Sequence, residues 1–134
     1  MKSIIHFICN PNPNIGYGVH ALNFKKELES ILPNHLFQVI VSDPRDNIKF
    51  GKICNLLTLN RNKFNIINIH LTHLLDRFLL ENEIPGYKVI YTVFETEVLP
   101  LGAKEVLNEY DLVLTTSKWG ADILRSELAH ENIE

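Results

Sequence analysis

A chain of 134 residues is one domain's worth, and at 46% hydrophobic and 22% charged residues it has the mix of a globular protein that buries a core without staples. A formal net charge of −3 leaves no basic surplus to neutralise phosphates, which argues against nucleic acid as a partner. No stretch approaches the roughly 20 apolar residues of a membrane span, and the first apolar run, Ile4 to Cys9, is too short for a signal peptide and is broken by His6. Cys9 and Cys54 both sit in apolar runs, which reads as two reduced, buried thiols and fits a cytoplasmic protein.

Six segments read as strands. Ser3–Cys9 is apolar and rich in β-branched residues, and Tyr17 to Leu32 follows as a helix, with Val19, Leu22, Leu28, Ile31 and Leu32 as its apolar stripe and Pro33 as its stop. Leu36–Ser42 is the second strand, Ile53–Leu59 the third and Asn65–Leu71 the fourth. Leu74, Leu75, Phe78 and Leu79 then form a stripe behind a candidate Thr72 cap. Lys88–Phe94 is the fifth strand, and Pro100 opens a helix carrying Val106 and Leu107. Asp111–Thr116 is the sixth, after which Ser117 can cap a last helix that buries Ile123, Leu124 and Leu128.

Several of these strands are near-continuous apolar runs, as strands covered on both faces should be. Their alternation with helices predicts an α/β, Rossmann-like three-layer sandwich: a single domain over residues 1–134 with a mostly parallel sheet of about six strands. The connections between Ser42 and Asn65 are too short for two full crossover helices, so the third strand is either an edge or irregularly joined to its neighbours.

In such a sheet ligands bind beyond the carboxyl ends of the strands. The first strand runs into Asn10-Pro-Asn-Pro-Asn-Ile-Gly16-Tyr17-Gly18-Val-His20-Ala21, where glycines at the mouth of a helix let backbone N–H groups approach an anion. Gly16, Gly18 and Ala21 formally fit a dinucleotide-binding pattern, with Asp43 after the second strand, although six residues separate the strand from Gly16 where a dinucleotide loop turns almost at once. The plainer reading is that glycine merely lets the chain turn into the helix.

The fourth strand ends near His70, which suits ligand contact or proton transfer, or else a hydrogen-bonded, half-buried structural role. His73 lies nearby, but no Cys, Asp or Glu cluster completes a metal site. Glu95 directly follows the fifth strand, where a carboxylate can hold sugar hydroxyls or a developing positive charge; Glu97 fits a solvated loop better. After the sixth strand, Ser117 reads first as an N-cap, Lys118 can face an anion, and Trp119 reads as packing.

Three of these segments together resemble the N-terminal domain of GT-B glycosyltransferases of the large retaining group, group 1 or family 4. They are Asn14-Ile-Gly16-Tyr17-Gly18-Val-His20-Ala21, Val93-Phe94-Glu95-Thr96-Glu97-Val-Leu99-Pro100, and Asn108-Glu-Tyr110-Asp111-Leu-Val-Leu-Thr-Thr-Ser117-Lys118-Trp119. In order and spacing they span nearly the whole chain, and Glu131–Glu134 resembles the start of the strand leading into the family's second domain.

The resemblance implies transfer of a sugar, with retention, from a nucleotide-sugar to a glycan or lipid acceptor. It implies no metal or other cofactor. His70 and Glu95 become candidate catalytic residues; Gly16, Tyr17, Gly18, His20, Ser117 and Lys118 become candidate contacts to the donor diphosphate or the acceptor. The donor-binding domain of the family is not among these residues, so the chain alone is expected to be inactive. The region from Asp43 to Asn62 departs most from the family. Attachment to an inner membrane face occurs in such enzymes, though no basic amphipathic helix here argues for it.

Two other readings use the same sheet. An NAD-type dinucleotide-binding module predicts NAD binding that Asp43→Ala weakens, and a non-catalytic interaction domain predicts a stable homo-oligomer.

Overall fold

A computed structural model describes residues 3–10, 12, 14, 16–41, 65–73, 86–94, 97–99, 101–128 and 131–134. In chain order they form β1 (Ser3–Cys9), α1 (Gly16–Ile31), β2 (Leu36–Val41), β3 (Asn65–His73), β4 (Tyr87–Val93), α2 (Ala103–Leu107), β5 (Leu112–Thr115) and α3 (Lys118–Glu127). The strands make one sheet in the order β2-β1-β3-β4-β5, every neighbouring pair parallel. The α/β, Rossmann-like reading therefore holds. The strand expected at 53–59 and the helix expected from Leu74 lie outside the described residues.

Side chains alternate across the sheet, as the period of two requires. Ile5, Phe7 and Cys9 of β1, Ile69 and Leu71 of β3 and Val89 of β4 pack on one face against Ala21, Phe24, Leu28 and Leu32. Ile8, Ile90, Phe94 and Val113 pack on the other against Ala103 and Leu107 of α2 and Ala121 and Leu124 of α3. These two cores make the three layers. Cys9 is a free, buried thiol whose pKa burial raises to about 11, with Lys25 pulling modestly the other way, so it stays protonated at neutral pH. Cys54 lies outside the described residues.

Three local readings change. The buried face of α1 runs through Ala21, Phe24, Leu28 and Leu32, whereas Val19, Leu22 and Ile31 are exposed. At 100° per residue Val19 falls on the far side of a helix held by Ala21 and Phe24; counting large aliphatics had passed over the alanine that allows close helix–sheet approach. Thr72 lies inside β3, which continues to His73, pairing Thr72 with Thr92 and His73 with Val93. Between β4 and β5, α2 starts after Gly102, whose φ of 82° ends the preceding turn, three residues later than expected from Pro100. Gly86, leading into β4, has φ 96°, and a β-carbon there would lie 2.5 Å from the Ile66 carbonyl oxygen; only glycine fits that entry without strain.

The last described residues pair with the sheet as well. Val113 N–H donates to Asn132 O at 2.9 Å, Glu134 N–H to Val113 O at 2.9 Å, and Thr115 N–H to Glu134 O at 3.0 Å, a parallel pairing along β5. Arg125 of α3 pins this segment by donating to Ile133 O at 2.7 Å. Among the described residues, no helix is long and apolar enough to cross a membrane.

Candidate functional site

The strand order reverses at β1, with β2 on one side of it and β3 on the other. In an open α/β sheet such a switch point, at the carboxyl rim where the chain leaves β1, is where ligands bind. The Asn-Pro-Asn-Pro-Asn run is built for this exit. Asn12 N–H donates to Asn10 Oδ1 at 3.2 Å and Asn14 N–H to Asn12 Oδ1 at 3.0 Å, so successive asparagine side chains replace missing backbone partners.

Gly16 begins α1, Tyr17 lies in its first turn, and Gly18 is buried. The two glycines differ in cause. A β-carbon on Gly16 would meet nothing within 4 Å, leaving the helix mouth open on that side. One on Gly18 would overlap the main chain of Asn12. Glycine at 18 is therefore explained by the close approach of the loop, with no ligand required. The space that a dinucleotide pyrophosphate would use at a second motif glycine is filled by the chain itself, which weighs against the NAD reading.

His20, one turn further on, packs its ring against Tyr91 (5.0 Å, edge-on) and alongside Phe24 (6.3 Å), and its shielded Nε2 has no hydrogen-bond partner. Through this contact α1 reaches across to β4.

His70 lies elsewhere. The strand expected to end at Leu71 runs on to His73, so His70 sits inside it, in register with Ile8 and Ile90, on the face opposite His20. It is 1% exposed, and its Nδ1 is 3.2 Å from the Tyr110 hydroxyl. Burial lowers its pKa to about 4, so at neutral pH the ring is uncharged. In this conformation it does not reach the rim, and what it visibly does is fix Tyr110.

The same face holds further buried polar groups that sequence reasoning passed over. His6 Nδ1 donates to Asn68 Oδ1 at 2.9 Å; burial lowers the His6 pKa, against a smaller upward pull from that bond. Lys88, Thr72 and Thr92 are buried alongside. The available signal was polar residues at period two within apolar strands: 6, 68, 70, 72, 88 and 92.

At the β5 end of the rim, Ser117 is extended (φ −144°, ψ 154°) and caps α3, its Oγ accepting from Gly120 N–H at 3.0 Å. Lys118 is exposed, and Trp119, 46% exposed, lies 5.8 Å ring to ring from Phe94, the residue after β4. Ser117→Ala should cost about 1 kcal/mol, read as a lowered urea midpoint with unchanged slope. Glu95 lies outside the described residues.

The structure thus brings the α1 mouth to β4 through His20 and Tyr91, sets Ser117–Trp119 beside the end of β4 through Phe94, and places His70 in the interior. Among the described residues, no group of three His, Cys, Asp or Glu side chains is placed to hold a metal ion. The chain matches no family model, no curated protein and no solved structure.

Proposed function

We propose that the chain is the acceptor-side domain of a retaining GT-B glycosyltransferase acting in the cytoplasm, transferring sugar from a nucleotide-sugar to a glycan or lipid acceptor once a donor-binding lobe faces its rim. The observation that supports this reading best is one of placement. Gly16–Ala21, Phe94 and Ser117–Trp119, drawn from the three segments that carry the resemblance, follow the carboxyl ends of β1, β4 and β5 in one parallel sheet. That rim is where an open α/β sheet meets its ligand.

On this reading the open mouth of α1 at Gly16 takes the donor diphosphate, with Tyr17 and His20 beside it, and Glu95 holds sugar hydroxyls. His70 acts at one remove, through Tyr110. The domain is inactive by itself because transfer needs donor and acceptor held in one geometry.

The test is a transfer assay on the two-lobed protein with radiolabelled nucleotide-sugars. Gly16→Ala adds a methyl group that meets nothing in the free domain, so its melting temperature should hold while transfer falls about tenfold, roughly 1.4 kcal/mol of lost transition-state stabilisation. Glu95→Gln should reduce transfer at least as much. Undiminished transfer in both variants would sink the assignment. Saturable NAD binding by the chain, weakened by Asp43→Ala, would move it to the dinucleotide reading.

A further inference from the structure

We propose that the face of β4 and β5 lying beside α1 is a docking shelf for an amphipathic helix of a partner protein, one whose apolar stripe is edged by lysine or arginine. Both strands carry apolar side chains on both faces, the pattern of strands covered from two sides. One face is covered: Ile90 and Val113 are 0% exposed in the core they share with α2 and α3. On the other, Tyr91, Leu112 and Leu114 are only partly buried and Tyr87 is 46% exposed. Leu112 pairs with Val89 and Leu114 with Tyr91, so these side chains form one continuous apolar surface.

The shelf has the dimensions of a helix. Among the described residues, α1 is the one helix packed on this face, and its rings stop at Tyr91, which His20 meets at 5.0 Å and Phe24 at 4.9 Å. The far side is bounded by residues 132–134, paired with β5. Two strand spacings separate β4 from that segment, about 10 Å, which is the width of one helix with its side chains. Along the strands, the seven residues of β4 extend about 23 Å, the length of a helix of about 15 residues.

The margins select the charge of the occupant. Glu27 is exposed and lies three residues after Phe24 and seven after His20, on the same flank of α1. Ile133 packs into the opposite core, so Glu134, one residue on, projects on the shelf side, where it is exposed. Both margins are therefore anionic. The described cations lie elsewhere: Lys25 sits over Phe37 of β2, Lys26 points away from the sheet, Lys88 is buried on the opposite face, and Lys104, Lys118 and Arg125 belong to α2 and α3. A helix with an apolar stripe and cations on both sides would cover the shelf and pair both carboxylates, whereas an acid-edged helix of the same shape would be repelled.

This inference stands apart from glycosyl transfer. Its test uses the isotope-labelled chain and two synthetic helical peptides of about 15 residues, identical in their leucine stripe, edged by lysine in one and by glutamate in the other. The lysine-edged peptide should shift the amide resonances of Tyr91, Leu112 and Leu114 saturably, leave those of Leu107 and Leu124 in place, and lose affinity as salt is raised. The glutamate-edged peptide should bind about tenfold more weakly. Glu27→Lys and Glu134→Lys, both surface changes that should leave the melting temperature in place, should each weaken the lysine-edged peptide about threefold and strengthen the glutamate-edged one. Equal binding of the two peptides, shifts confined to α2 and α3, or no binding at all would overturn the proposal. So would concentration-dependent shifts of Tyr91, Leu112 and Leu114 without peptide, which would give the shelf to a second copy of the chain.

Discussion

Gly18→Val should destabilise the chain by about 3 kcal/mol, seen as a drop in urea midpoint, whereas Gly16→Val should cost less than about 1 kcal/mol. Both replacements put the same branched side chain near the start of α1, so helix propensity and lost glycine entropy nearly cancel in the comparison. What differs is the space. At position 18 the new β-carbon would collide with the carbonyl group of Asn12, a backbone atom that cannot swing aside as a flexible side chain can. The loop must move, and with it the two asparagine-capped turns at Asn10 and Asn12. At position 16 the β-carbon enters open space. Equal losses at the two positions would show that the loop does not press on the helix.

Stability should also fall as the solution is acidified from about pH 6.5 toward pH 4. The sign follows from which state holds more protons. In the unfolded chain His70 titrates near its ordinary value of 6.5, and in the folded chain at about 4. Between those values the unfolded state binds the extra proton, so acid favours unfolding; above 6.5 both states are neutral and the contribution is complete. A gap of this size is worth about 3 kcal/mol across the window. His6, also lowered by burial, adds to the slope in the same direction. Urea midpoints measured through this range should drop steeply for the native sequence and less steeply for His70→Gln, which cannot charge. A flat profile in the native sequence would mean that the ring is hydrated and titrates normally.

Much of the architecture was legible because it rests on one-dimensional patterns. Apolar runs at 3–9, 65–71 and 88–94 read as strands covered on both faces, and Ser117 ahead of Ile123, Leu124 and Leu128 announced the helix it caps. What escaped depends on juxtaposition. Nothing local told His70 from a rim residue, because its burial is decided by two further residues of β3 pairing with β4. Similarly, Gly18 looked like ligand chemistry until Asn12 was seen lying over it. The polar face of His6, Asn68, Lys88 and Thr92 was hidden by the apolar residues that alternate with it. The α1 stripe misled because alanine, small enough to bring a helix against a sheet, carries little weight when hydrophobic bulk is counted.

The pairing of residues 132–134 with β5 has a consequence for solubility. An unpaired outer strand offers a row of donors and acceptors on which a second chain can lengthen the sheet, and β5 is short and rich in aliphatic side chains. Here that row is already engaged by three backbone bonds and clipped by a guanidinium. Removing four residues would bare it, and the shortened protein should then self-associate in a concentration-dependent way through that margin.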